Sequence, residues 1–367
     1  MGISKIVITG GPCAGKSTAM SWISNAFAQR GYKVIFVPET ATELITGGVT
    51  PWECASNQEY QVCQMRLQME KERIFEQGAD SMRQEKILIV CDRGTMDNQA
   101  YMTEAEFEAV LSELGADEVH LRENYDAVFH LVTAAKGAEQ FYTLANNQAR
   151  TETPQQAREM DDKLIAAWAG HPHLRIIDNS TDFEGKMKRL IAEISAFLGE
   201  PEPYEIERKF LIEYPDTAWL QGIPNCRRVE IIQTYLSVEP DYEVRIRQRG
   251  LNGNYMYYET TKKKINGLKR IELERRLSER EYLRLLMEAD TNRRQIRKTR
   301  YCMVYENQYF EIDLYPFWND QAIVEIELRE EDQQIRMPKE LKVIREVTGE
   351  AAYKNAALAV RERREAI

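Results

Sequence analysis

Glu205-Ile206-Glu207-Arg208-Lys209 places an ionic residue at every second position. Side chains of a strand alternate between faces, so residues two apart share one. The habit recurs at Glu243, Arg245 and Arg247; at Lys262 and Lys264; at Arg270, Glu272 and Glu274; at Lys298 and Arg300; at Glu311 and Asp313; and at Glu325 and Glu327. Most of these residues have apolar neighbours pointing the other way. One wet face of an antiparallel sheet accounts for any single strand of this kind. The series as a whole asks for more, because like charges doubled on one strand, Arg245 with Arg247 and Glu325 with Glu327, repel unless counter-ions lie between them. A sheet of eight strands closed into a barrel would hold an ionic ligand inside and pack its apolar residues outward. Its basic wall suits phosphates, and its acidic wall suits divalent cations, which prefer carboxylate oxygens.

These residues resemble the CYTH domain proteins, or triphosphate tunnel metalloenzymes, which include thiamine triphosphatases, inorganic triphosphatases and class IV adenylate cyclases. The opening Glu-x-Glu-x-Lys is that family's signature. It is followed in order by Arg245-x-Arg247, Thr260-x-Lys262, Arg270-x-Glu272-x-Glu274, Lys298-x-Arg300, Asp313 and Glu325-x-Glu327. The resemblance continues through Val347-Thr348-Gly349 and Tyr353-Lys354-Asn355, so it spans roughly 203 to 360. It implies hydrolysis of a triphosphate inside the tunnel. Lys209, Arg245, Arg247, Lys262, Lys298 and Arg300 would grip the phosphates. Glu205, Glu207, Asp313, Glu325 and Glu327 would bind magnesium or manganese, while the role of Glu272 and Glu274 stays open.

At the other end, Lys5 to Thr9 reads as a buried strand and leads into Gly10-Gly11-Pro12-Cys13-Ala14-Gly15-Lys16-Ser17-Thr18. This is Gly-x-x-x-x-Gly-Lys-Ser between a strand and a helix. Such glycines turn backbone amides toward phosphates, Lys16 reaches the β and γ groups, and the Ser17 hydroxyl is placed to ligate magnesium. The expected ligand is ATP or GTP, held by Gly10, Gly11, Cys13, Ala14, Gly15, Lys16, Ser17 and Thr18.

The apolar run Ile87 to Val90 ends in Cys91-Asp92-Arg93-Gly94. That places Asp92 at the carboxyl end of a strand, where such sheets bind ligands. Asp92 is the expected magnesium-side carboxylate, and the Asp-Arg pair resembles nucleoside and nucleotide kinases. Glu39 follows the Val34 to Val37 strand and is a candidate base or binding group, with a helix-entry carboxylate as the alternative. Arg150 and Arg158 resemble the lid arginines that clamp a transferring phosphate in those kinases, with a solvated helix face as the alternative.

Strands near 5–9, 34–37, 87–91, 127–132 and 174–178 alternate with helical segments, the pattern of a parallel sheet covered on both faces. Phe183, Met187, Leu190, Ile191, Ile194 and Phe197 recur at helical spacing, so this helix is expected to pack back on the sheet. The expected fold is therefore an α/β P-loop NTPase over 1–199 and a linker at 200–203. An α+β domain with a closed, eight-stranded antiparallel β-barrel follows over 204–367. A length of 367 residues, with 43% hydrophobic and 29% charged, suits two globular domains.

A net charge of −10 argues against broad nucleic-acid binding, which needs a basic face; basic stretches such as Lys262-Lys263-Lys264 leave an RNA 5′ triphosphate end open. Six cysteines without a Cys-x-x-Cys pair argue against a zinc site or a disulfide framework. His171 and His173 read as surface residues. With no apolar run near 20 residues and no signal-peptide pattern at the start, the chain is expected to be cytoplasmic, without a membrane partner. The sequence leaves oligomeric state and the acceptor of the first domain unassigned. Beside the two-headed enzyme it leaves two alternatives open, an adenylate cyclase and a non-catalytic nucleotide or polyphosphate sensor.

Overall fold

The computed structural model describes residues 2–141, 153–200, 206–236, 242–266, 269–328 and 332–360, with the side chains of 141, 242 and 262–273 left aside. The chain divides into two compact units, Met1–Glu202 and Pro203–Ile367.

In the first unit, five parallel strands, β1 (Gly2–Gly10), β2 (Lys33–Val37), β3 (Lys86–Asp92), β4 (Ala127–Leu131) and β5 (Leu174–Ile177), lie in the order β2-β3-β1-β4-β5. Helices α1 (Lys16–Ala28), α2 (Thr40–Thr46), α3 (Asn57–Asp80), α4 (Glu104–Leu114), α5 (Glu118–Arg122), α6 (Pro154–Trp168) and α7 (Phe183–Phe197) connect and cover them. The run Ile6-Val7-Ile8 is wholly buried because both faces are covered. Ile6 and Ile8 pack with Ile23 and Phe27 of α1 and with Met187, Leu190 and Ile194 of α7. Val7, pointing the opposite way, lies with Trp168 of α6 around Gly94.

Among the described residues the second unit holds nine strands, all pairing antiparallel: β6 (Ile206–Glu213), β7 (Cys226–Tyr235), β8 (Tyr242–Leu251), β9 (Asn254–Asn266), β10 (Lys269–Leu277), β11 (Ile296–Tyr305), β12 (Gln308–Leu314), β13 (Gln321–Leu328) and β14 (Val343–Glu346). Their order is β10-β9-β8-β7-β11-β12-β13-β6-β14. This corrects the expected eight strands closed on themselves. The ninth, β14, is short and exposed throughout, and it takes the free edge of β6. Among the described residues no pairing joins the two ends of the sheet.

Alternation sorts this sheet into two faces. Phe210, Ile212, Tyr301, Met303, Phe310, Ile312, Val324 and Ile326 bury together with Leu220 of α8 (Thr217–Gly222). The intervening residues Lys209, Lys298, Arg300, Glu311, Asp313 and Glu325 form the opposite, ionic face. Along the same strands this ionic band is bounded by apolar residues on both sides. Leu211, Tyr235, Ile296 and Ile323 cluster with Val347 and Ala359 at one end; Cys302 lies at the other, clustered with Val229 and Ile231 of β7, which sit directly across from Arg300 and Lys298.

Candidate functional site

The phosphate loop of the first unit leaves β1 at its carboxyl end and enters α1 at Lys16. Cys13 sits at φ 58° and Gly15, the residue capping α1, at φ 92°, so the loop runs through left-handed backbone where glycine is favoured. A Cβ on Gly15 would come within 2.7 Å of the Phe183 ring, so no other residue fits there without displacing that ring. Ser17 and Thr18 are exposed at the start of the helix, where unpaired backbone amides and the helix dipole favour an anion.

Beside Lys16 stand the carboxyl ends of β2 and β3. Arg93, held at φ 68°, donates from Nε to Glu39 and from a terminal nitrogen to Asp97 at 3.5 Å. Asp97 also accepts from the Thr9 hydroxyl and, at 2.7 Å, from the Gly94 amide, which fixes the turn after β3. Burial, then the Arg93 guanidinium, holds the Lys16 ammonium below its ordinary value. Burial pushes the Asp92 carboxyl up, helped by Glu39 and Asp97 and opposed by Lys16. Its Oδ1 is buried without a hydrogen-bond partner. A raised carboxylate with an unsatisfied oxygen is stabilised by an added cation, so Asp92 fits a magnesium ion. Burial also works to raise Glu39, but Arg93 and Lys16 outweigh it and bring the carboxyl down to about 2.

Behind the loop are two residues that sequence reasoning missed. Asp161 of α6, fully buried, accepts from the Gly11 amide at 3.0 Å, the Thr133 amide at 3.1 Å and Lys136 at 2.9 Å, and lies 3.0 Å from His130 Nε2. Lys186 of α7, also buried, donates to the Ala14 carbonyl at 3.2 Å, the Val132 carbonyl at 2.6 Å and Asn179 at 2.8 Å; burial brings its ammonium down to about 8. Neither belongs to a local motif, so only the fold reveals them.

Arg158 of α6 donates to the Ala135 carbonyl at 2.9 Å, and the neighbouring Ala134 amide reaches the Cys13 carbonyl at 3.4 Å, so this arginine lies on the loop side of the unit. Arg150 lies outside the described residues. His171 departs from expectation. It is buried, with Nε2 3.0 Å from the Tyr125 carbonyl and Nδ1 accepting from the His173 amide at 3.0 Å, which satisfies both ring nitrogens inside the core. All six cysteines are free thiols.

In the second unit Arg300 is the centre of a buried lattice. It engages both oxygens of Asp313 at 2.7 Å, Glu325 at 2.8 Å, and Glu311. Lys298 donates to the same Asp313, and Lys209 to Glu325 at 2.6 Å. Burial works against the Glu325 carboxylate, but Lys209, Lys298 and Arg300 outweigh it and hold its pKa well below the ordinary carboxylate range. Lys209 is raised by Glu325 and Glu207 against its burial, whereas burial and the Arg300 charge lower Lys298.

Arg247 pairs with Glu274, which also accepts from Thr260 at 2.9 Å. Arg245 sits directly across from Thr260 and Tyr235. Arg249 extends the Arg245-x-Arg247 run by the same two-residue step and is wholly buried, a continuation that alternation alone makes legible. Glu207 and Glu327 face each other across β6 and β13. Like charges directly opposed are unfavourable without a counter-charge, and Lys209 supplies one to Glu207 at 3.2 Å. Among the described residues, however, no group of three or more His, Cys, Asp or Glu side chains is arranged to hold a metal. Glu205 lies outside those residues, as do the side chains of Lys262 and Glu272.

A parallel sheet whose first strand turns through a glycine loop into a helix, with Lys16 facing Asp92, defines a P-loop-type NTPase fold. Within that class, residues 5–186 match the AAA_28 family, described as an AAA domain. No curated protein matches the chain. Among solved structures, the inorganic triphosphatase NE1496 is 30% identical over 43% of this chain and 96% of its own, with a TM-score of 0.31. A conserved hypothetical protein from Pyrococcus furiosus is 21% identical over 34% of this chain and 78% of its own, with a TM-score of 0.26. No helix among the described residues is long and apolar enough to cross a membrane.

Proposed function

We propose that the chain is a two-headed phosphoanhydride enzyme. The first unit binds ATP or GTP at the phosphate loop and passes the terminal phosphoryl group to a small acceptor. The second hydrolyses a triphosphate on its ionic face. The observation that carries the second reading is the convergence of Lys209, Lys298 and Arg300 in one buried lattice, with Arg245 and Arg247 on the same alternation of strands.

Lys16 would meet the β and γ phosphates in the first unit, with Ser17 and Asp92 holding a magnesium ion that draws charge from them. Glu39, kept ionised by Arg93, would accept a hydrogen bond from the acceptor's hydroxyl and orient it. In the second unit, carboxylates keep the cations aimed before a substrate arrives, so little reorganisation is needed when charge shifts onto the leaving oxygens. Water attacks the terminal phosphorus, the bridging bond breaks, and orthophosphate leaves beside a diphosphate. Glu205, Glu207 and Glu327 would supply the divalent-cation end of this site.

Release of phosphate and pyrophosphate from tripolyphosphate, ATP, GTP and thiamine triphosphate, with magnesium or manganese, tests both heads. Wild type is measured beside Glu205→Gln and Lys16→Ala. Tripolyphosphate cleavage lost only in Glu205→Gln is the expected result. Cyclic AMP with pyrophosphate, and no orthophosphate, from ATP would replace hydrolysis by cyclisation, and tight binding without turnover would leave a sensor.

A further inference from the structure

The spacing of Phe183 with Met187, Leu190 and Ile194 predicts a core residue, yet Phe183 is 45% exposed and absent from the apolar cluster those three residues build. Its ring lies against Gly15 of the phosphate loop instead, close enough that a Cβ there would meet Cε2 at 2.7 Å and Cζ at 3.1 Å. The start of α7, which carries this ring, is fastened by hydrogen bonds. One turn along α7, Lys186 ties the helix to the Ala14 carbonyl at 3.2 Å. The preceding turn is held by Arg189, which donates to Asp178 Oδ1 and to the Asp178 carbonyl, both at 2.7 Å, and to Thr181 Oγ1 at 3.2 Å. Asn179 fastens the same turn to the Thr133 and Lys136 carbonyls, each at 2.8 Å.

A large, half-exposed aromatic ring is thus fixed beside the residues that would hold phosphates, with little core to support. Aromatic faces of this kind stack on nucleobases with little preference among them, since every base has a π face. We propose that Phe183 is the nucleobase-stacking residue of the first unit's nucleotide site. This rests on the nucleotide reading above. The ring contributes affinity for the base and leaves the choice between adenine and guanine to other groups.

The test is equilibrium binding to the full chain, counting only the component that Lys16→Ala abolishes. The probes are ATP, GTP and ribose 5-triphosphate, which keeps the sugar and phosphates but lacks a base. Phe183→Ala should weaken ATP and GTP alike, by roughly 5- to 150-fold. Binding of ribose 5-triphosphate should stay within about twofold, which also reports an intact loop, and Phe183→Tyr should bind all three like wild type. Unchanged ATP affinity in Phe183→Ala overturns the assignment. So does an equal loss of ribose 5-triphosphate, which would make the ring a support for the loop. Absence of any Lys16-dependent binding in wild type would remove the nucleotide reading itself, and the stacking role with it.

Discussion

The two units would serve the proposed phosphate chemistry by opposite means. In the first, the candidate anion-binding groups are backbone amides and a helix start, and the side chains around them, Asp161 and Lys186, hold the loop from behind. In the second, the candidate anion-binding groups are side chains themselves, and Lys209, Lys298 and Arg300 are each already engaged by a carboxylate. A backbone site is built from contiguous residues, so its geometry comes with the loop. A side-chain lattice exists only when distant strands meet in register, and its charges are costly to bury unless every partner is present.

That difference predicts where a single change is most damaging. Arg300→Met should destabilise the chain by about 3–5 kcal/mol in urea unfolding, because Asp313, Glu325 and Glu311 lose their shared counter-charge together in a buried setting. Arg300→Lys should recover only part of this, since an ammonium cannot span both Asp313 oxygens. A loss below about 1 kcal/mol would mean that the lattice is not a desolvated network, and the contrast between the units would collapse.

The same contrast explains what was legible in the sequence. The phosphate loop, Asp92 and the five parallel strands could be read because each is encoded locally, by a motif or an apolar run. The ionic face was legible through alternation, which also carries Arg249. Pairing was not legible: that Asp313 meets both Lys298 and Arg300 depends on how β12 aligns with β11. Asp161 and Lys186 stayed hidden because a charged residue on an amphipathic helix looks like a solvated one until its helix is placed. Phe183 was misread for the converse reason, since helical spacing says which residues share a stripe but not where the core ends along it. The short β14 has no apolar pattern, being exposed throughout, and only its pairing with β6 defines it.

A smaller effect is expected at the acceptor side of the first unit, and it has a pH signature. Glu39, with its carboxyl near 2 in the folded state, binds protons less readily than the unfolded chain does. Its contribution to stability is therefore complete above an unfolded value near 4.5 and disappears as pH falls through 2. Wild type should exceed Glu39→Gln by at most about 3 kcal/mol at neutral pH, less for the part of the side chain that water reaches. The gap should shrink steadily between pH 4.5 and 2. A gap independent of pH would show that the Arg93 partnership does not depend on the carboxylate charge.

The smallest effect should fall on a residue adjacent in sequence to one of the most consequential. Arg208 and Lys209 are neighbours on β6, but alternation sends them to opposite faces. Lys209 reaches Glu325 in the ionic band, while Arg208 lies over the Phe210 ring at 5.2 Å and pairs with Glu346 of β14, with 32% and 39% of the two side chains exposed. An exposed pair of this kind contributes less than about 1 kcal/mol. Arg208→Ala should therefore change urea unfolding by no more than that and leave triphosphate turnover as in wild type, whereas Lys209→Met should remove turnover. If Arg208→Ala also abolished turnover, the ionic chemistry would not be confined to one face of the sheet, and alternation would no longer separate the residues that bind phosphate from those that only cover the outside.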